Sequence, residues 1–416
     1  MSTVSQPNIE QLISNRRKGY SLEQAFYCED EVFRMDMERV IGQQWLLVDH
    51  VSRIPQRGDY FLFRVGGEQI IVIRENENDV HAFFNVCRHR GSRVCLEDEG
   101  RKRLLTCPYH AWSYNLNGSL KAARLMPDDF DQSQHGLHRC HLRIFHGLIF
   151  VCLSKENPPD FDTMYSEFEE MLGFHGFSDA KVAVRRNYPN AANWKLVVEN
   201  FIECYHCAPA HPEYCSVHPA AQLLALGAGP GSGPEGALEA YQPMLDEWEA
   251  RTSALGHPTP CIERSASTID MAQLSRFPIN DRNFESETRT GEPACTKLMG
   301  KFTERDHGET AFAFNPISFI LACNDFAMMV RFTPIDGMHT DVQLTWLVHK
   351  DAKEGVDYDP DNVAWLWDVT TKQDKRITED NQAGILSSRY QPGPYSEQER
   401  LVMTFSDWYL HKLEKH

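Results

Sequence analysis

Apolar and polar residues alternate through DYFLFRV (59–65) and QIIVIRE (69–75), the period-two rhythm of half-buried strands, and the Gly66-Gly67 pair between them predicts a hairpin. A second apolar run, LRIFHGLIFVCL (142–153), closes this β-rich stretch before the prolines of KENPPDFD (155–162) mark a boundary. Residues up to about Ile41 read as helical. Beyond the boundary, AFAFNPISFILACN (311–324), FAMMVRFTPI (326–335) and DVQLTWLVHK (341–350) predict an antiparallel sheet, and 361–385 reads as a long helix ending at Gly384. That helix carries an inward stripe through Val363, Trp367, Thr370, Asp374, Ile377 and Asn381. The fold class is therefore α+β in three parts. Residues 1–44 form a helical segment packing on the last domain, 45–158 a small all-β domain, and 159–416 a larger antiparallel sheet with helices, of the helix-grip type. The low-complexity stretch GAGPGSGPEGALEAY (227–241) reads as a surface loop, with a lid over a site as the functional alternative.

Composition narrows the class. A chain of 416 residues with 42% hydrophobic content can build two cores. The net charge of −17 argues against nucleic-acid binding and mildly favours a cationic substrate or basic partner. Gly and Pro interrupt the longest uncharged run, between His218 and Pro234, so no membrane span is expected. The N-terminus MSTVSQPNIEQLISNRRKGY has no apolar core of a signal peptide, which points to the cytoplasm and to reduced thiols for the twelve cysteines.

Two short hooks change the picture most. CRH supplies Cys87 and His89, CPYH supplies Cys107 and His110, and seventeen residues separate His89 from Cys107. One sulfur and one nitrogen per hook is the ligand set of a Rieske [2Fe-2S] cluster, in which two imidazoles replace two thiolates on one iron and raise the potential. Gly91 and Pro108 help the loops turn. Zinc is the competing ion, but zinc fingers run Cys-Cys then His-His and do not alternate. Ser92 and Tyr109 stand where a bracing disulfide would sit in the high-potential type, so the lower-potential type is expected.

A second constellation lies in NWKLVVENFIECYHCAPAHPEY (193–214). His206 and His211 are five residues apart, too far round for one helical face, but Pro209 and Pro212 break the helix and can swing the rings together. Two imidazoles and a carboxylate on one face of Fe(II) make the facial triad of non-haem oxygenases. Asp374, an acid on an apolar stripe, is the candidate third ligand, with Glu379 and Asp380 as neighbouring alternatives. Asn200 is a candidate to lie beside the iron. Cys204 and Cys207 are read as packing residues, and Trp112 as a shield for the cluster.

With both motifs in this order, the chain resembles the catalytic α subunit of Rieske non-haem iron oxygenases over nearly its whole length. The resemblance implies a mononuclear iron held by His206, His211 and Asp374. It also implies that Glu203 relays electrons to that iron from His110 of a neighbouring subunit in a head-to-tail homotrimer. Glu203, where ring-hydroxylating members usually carry Asp, is similar to the group that oxidises quaternary ammonium compounds. VHKDAKEGVDYD (348–359), NQAGI (381–385) and YQPGPYS (390–396) resemble segments of glycine betaine and proline betaine (stachydrine) demethylases.

The implied activity is O2-dependent N-demethylation of a betaine with release of formaldehyde, using electrons from NAD(P)H through a separate flavin and iron-sulfur reductase. Phe201, Tyr205, Phe319 and Trp194 are candidates for cation–π contact with the ammonium. The alternatives are an aromatic-ring-hydroxylating dioxygenase subunit, a carnitine- or choline-type monooxygenase, and a pure electron carrier.

Overall fold

The computed structural model describes residues 9–218, 235–263, 271–279 and 284–414. The chain divides into two compact units, one formed by Gly42–Pro159 and the other by the segment through Ile41 together with the chain from Asp160. Among the described residues, no helix is long and apolar enough to cross a membrane.

The smaller unit is built from short antiparallel sheets. Asp59–Val65 and Glu68–Arg74 pair as the expected hairpin, with Val65 opposite Glu68 and Gly66 at a φ of +52° in the turn. The run 142–153 is two strands, not one: His141–Phe145 and Leu148–Cys152 fold back on each other. His146 (φ +50°) and Gly147 (φ +80°) make the turn. Two consecutive positive-φ residues match the twist of a hairpin, and apolar flanks hide such a turn from a hydrophobicity pattern. Ile71, Ile73, Phe83, Leu105 and Tyr114 form a core that also encloses Cys87 and Cys107.

The larger unit holds a seven-stranded antiparallel sheet in the order Ala180–Asn190, His339–His349, Phe326–Asp336, Ser318–Ala322, Gly308–Asn315, Gln273–Pro278 and Cys261–Glu263. The segment 311–324 is again a hairpin, with Asn315 opposite Ser318 across Pro316-Ile317. The edge strand Ala180–Asn190, paired along its length with His339–His349, was not anticipated, because most of its residues are only half-buried and give no strong alternation. A C-terminal helix, Arg400–Glu414, was likewise missed. Of the stretch read as a surface loop, 227–234 lies outside the described residues, and Glu235 begins a helix that runs to Ala254.

The long helix Pro360–Ile385 starts where Asp359 accepts from Asn362 N at 2.9 Å. Its buried stripe follows the expected one through Val363, Trp367 and Thr370, then turns to Thr378, Gln382 and Ile385, leaving Asn381 exposed. Polarity hid this: Thr378 Oγ1 accepts from Asn190 Nδ2 at 2.8 Å, and Gln382 Oε1 from Asn193 N at 2.8 Å. A buried polar residue with a partner costs little, but it carries no hydrophobic signal.

Helix Trp194–Phe201, which leads into the second constellation, is anchored through Asp36. That buried carboxylate receives Trp194 Nε1 at 3.0 Å, Tyr409 Oη at 2.6 Å and the buried Lys195 ammonium. Residues far apart in sequence thus lock one short helix. On the same helix Glu199 accepts from Tyr27 Oη at 3.0 Å. Burial, with Glu399 nearby, pushes Glu199 up to about 8, while Tyr27 and Lys195 work in the other direction. Between its unfolded value near 4.5 and about 8 the folded state holds the extra proton, so stability falls as pH rises across that window. We expect the stability of Glu199→Gln, followed by thermal or urea melts, to gain on that of the unmodified protein from pH 5 to 8 by about 1.4 kcal/mol per pH unit, and the gap to level off above that. Parallel curves would refute this assignment.

Candidate functional site

In the smaller unit the two hooks adopt one backbone pattern. Cys87 N bonds Ser92 O at 2.8 Å and Gly91 N bonds Cys87 O at 2.9 Å; Cys107 N bonds Trp112 O at 2.9 Å and Ala111 N bonds Cys107 O at 3.1 Å. Gly91 and Ala111, each four residues after the cysteine, are both at positive φ, +75° and +59°. Glycine accepts that conformation freely, whereas Ala111 is strained there, as backbones at ligand-holding loops often are. Both cysteines are buried and both histidines are exposed. His89 Nδ1 and His110 Nδ1 converge to 3.1 Å, Trp112 stacks on His89 at 5.0 Å, and Tyr114 Oη lies 3.2 Å from Cys87 Sγ. Arg88 N donates to that hydroxyl at 3.0 Å, which leaves the hydroxyl proton for the sulfur. Two buried sulfurs and two converging imidazole nitrogens suit a cluster with one all-sulfur and one histidine-bearing iron.

In the larger unit, His206 and His211 flank the single-turn helix Cys207–Ala210, and Pro212 opens the next helix, Pro212–Val217. The break turns the rings to face each other, with centroids 5.0 Å apart and planes 79° apart. Asp374 reaches them from the long helix. Its Oδ1 is 3.3 Å from His206 Nε2 and 2.9 Å from His211 Nε2, and the three ligand atoms lie within 4.8 Å of one another. Both His211 Nε2 and Asp374 Oδ1 are buried without a hydrogen-bond partner. Orphaned polar atoms aimed at one point are costly, and a metal ion placed there satisfies them. Glu379 accepts from Ala191 N and pairs with Lys375, and Asp380 is exposed, so neither is brought to the histidines.

Neighbouring groups orient the rings. His206 Nδ1 lies 2.5 Å from Glu203 Oε1, and Tyr205 N donates to the other Glu203 oxygen. Asn200 Nδ2 is 3.2 Å from His206 Nε2. Burial disfavours an imidazolium at His206, but Asp374 and Glu203 outweigh it and push this group up to about 9. Burial would raise Asp374, yet the two imidazoles hold it below its ordinary value. The pocket therefore prefers positive charge at its centre. His211 Nδ1 lies 2.8 Å from Gln373 Oε1, whose amide in turn donates to Glu213 Oε2 at 2.8 Å. Sequence reasoning passed over Gln373; its only signal is adjacency to Asp374.

The triad opens on a cavity of about 140 Å³. Phe201 and Phe319 line it, as expected for cation–π candidates, together with Trp367, Tyr214 and Phe277. Tyr205 instead is 58% exposed, and Trp194 is a core residue bonded to Asp36. Cys204 and Cys207, expected as reduced packing residues, are joined in a disulfide, since the turn between them brings the two sulfurs together. Nine other described cysteines form no disulfide.

Residues 177–415 match the family model for the ring hydroxylating alpha subunit catalytic domain, and residues 44–134 match the Rieske [2Fe-2S] domain. The chain belongs to the Rieske non-haem iron oxygenase family. It is 36% identical, over 97% of its length and 91% of the relative's, to the glycine betaine monooxygenase oxygenase subunit of Pseudomonas aeruginosa. The identity is 37% over 96% and 87% with the subunit of the same name from Chromohalobacter salexigens. The fold matches a solved quaternary ammonium Rieske monooxygenase with a TM-score of 0.71 at 22% identity over 100% of both chains. It also matches naphthalene 1,2-dioxygenase at 0.68, 20% identity, covering 97% and 96%.

As a Rieske oxygenase subunit the chain takes a [2Fe-2S] cluster and a mononuclear iron, and Gln373 contacts one of the histidines that could hold the iron. A hydrogen bond to the distal nitrogen fixes ring orientation and basicity. Gln373→Leu should weaken Fe(II) binding to the mononuclear site roughly 10–100-fold and leave the cluster's electron paramagnetic resonance signal unchanged. An unaltered Fe(II) titration would show that Gln373 does not support His211.

Proposed function

We propose that this oxygenase removes an N-methyl group from a quaternary ammonium betaine, proline betaine or glycine betaine, in the cytoplasm. One atom of O2 enters the methyl carbon and the other leaves as water, using two electrons from NAD(P)H delivered by a separate reductase. The hydroxylated methyl is a carbinolamine, which collapses to formaldehyde and a tertiary amine.

The metal groups would supply electron delivery and O2 activation. The chain's own residues do the rest. His206, His211 and Asp374 would hold the iron, while Glu203 and Gln373 fix the two imidazoles. The exposed edge formed by His89 and His110 suits electron exchange, and in a head-to-tail homotrimer Glu203, bonded to His206, would relay electrons from His110 of a neighbouring copy. Aromatic side chains keep water from the reacting carbon and offer their faces to a cation that has no proton to donate.

The observation that carries this reading is the cavity wall. It is aromatic and acidic, and no Lys or Arg is among the described residues that line it. An arene substrate would have no use for Glu309, the carboxylate of this lining that neither faces nor orients His206 and His211. The two relatives named glycine betaine monooxygenase oxygenase subunit, similar over nearly the whole chain, support the same substrate class.

The test is formaldehyde release by anaerobically reconstituted protein given NADH, a surrogate reductase and O2. Proline betaine, glycine betaine, carnitine and choline are supplied in parallel. We expect substrate-dependent formaldehyde from a betaine. Silence across the panel with the cluster reduced and the iron present would overturn N-demethylation and leave the arene-hydroxylating alternative.

A further inference from the structure

The floor of the cavity is the large sheet, and its side chains are set by register. Phe277 lies opposite Glu309, Ala311 opposite Leu321, and Ala313 opposite Phe319. Glu309 and Ala311, two residues apart, share a face. The small Ala311 leaves depth beside the carboxylate. Trp367, Thr370 and Asp374 line the cavity from the long helix.

Three carboxylates line this space, and two are accounted for: Asp374 faces the iron histidines and Glu203 is bonded to His206. Glu309, 1% exposed, is the third. Beside it are two more buried ionisable groups, Glu287 and His218. His218 Nε2 is 2.6 Å from Glu287 Oε1 and 3.6 Å from Glu309 Oε2, and Trp367 Nε1 donates to Glu287 Oε2 at 2.9 Å. Donors thus engage both oxygens of Glu287, and of this pair only Glu309 lines the cavity. Burial, together with the charge of Glu287, pushes Glu309 well above the usual carboxylate range. Two buried carboxyl groups thus compete for one imidazole, and Glu309 keeps its proton until a cation arrives beside it. A permanent cation next to Glu309 favours the carboxylate, and unlike an amine it cannot escape burial by losing a proton.

Resting on the quaternary ammonium reading above, we propose that Glu309 is the counter-ion for the substrate's ammonium head, supported by Glu287 and His218 and flanked by Trp367, Tyr214, Phe277 and Phe319. Charge then selects the substrate as well as shape. An uncharged tert-butyl compound of equal size fits the aromatic walls but gains nothing from Glu309.

The experiment is calorimetric titration of the anaerobic, iron-loaded protein. The ligands with a cationic head are glycine betaine, proline betaine and choline, and the isosteres, in which an uncharged tert-butyl group replaces the trimethylammonium, are 3,3-dimethylbutanoate for glycine betaine and 3,3-dimethylbutan-1-ol for choline. The unmodified protein should favour cation over isostere. Glu309→Gln should weaken the cations roughly tenfold or more while holding the isosteres nearly constant, and Glu309→Asp should recover part of the loss. An unchanged cation-to-isostere ratio in Glu309→Gln, or equal weakening of both, would overturn the proposal while leaving N-demethylation standing. If the unmodified protein binds no cation of the panel, the quaternary ammonium reading falls, and this proposal with it. Metal analysis showing an extra equivalent of metal that Glu309→Gln loses would make His218, Glu287 and Glu309 a second metal centre, and would equally overturn it.

Discussion

The larger unit depends on one electrostatic constraint: Asp374 is buried between two imidazoles, its Oδ1 facing both ring nitrogens. An arrangement of this kind favours positive charge between the three groups, and much of the surrounding structure holds it in place. Asp36 pins the helix before His206 through Trp194, Lys195 and Tyr409. Asn190 and Asn193 fix the long helix one and two turns beyond Asp374 through Thr378 and Gln382. The chain spends buried polar contacts on holding three ligand atoms together, a common pattern where preorganisation matters more than local stability.

Charge gives the rest of the unit its logic. His206 is drawn towards its cationic form by two acids, and a third acid, Glu309, lines the same cavity. The described lining carries no compensating Lys or Arg. Such an enclosure suits a metal cation between the histidines, and it is the ground for the proposed quaternary ammonium substrate. In the smaller unit the division is different: sulfur ligands are buried in the core and imidazoles sit at the surface, so the electron-rich part of the ligand set is shielded and the neutral part is accessible.

The parts of this arrangement legible in the sequence are those where chemistry demands rare residues at fixed spacing. The alternating hooks at Cys87, His89, Cys107 and His110, and the proline-broken pair His206 and His211, needed no structure to be noticed. Asp374 was visible because an acid on an apolar stripe is conspicuous. Gln373 and Glu309 were not, because each matters only through a residue far away in sequence: His211 for one, Glu287 and His218 for the other. The hairpins at 142–153 and 311–324 were read as single strands because their turns sit inside continuous apolar runs. The drift of the long helix's buried stripe to Thr378 and Gln382 was hidden because both are polar and both find polar partners.

Iron and acid-labile sulfide, measured together on anaerobically reconstituted protein and on its Asp374→Ala variant, test the account most directly. It predicts about three irons and two sulfides per chain, falling to about two irons and two sulfides in the variant with the Rieske signal intact. A variant that keeps its third iron would contradict the triad, and with it the account of how this enzyme places its substrate.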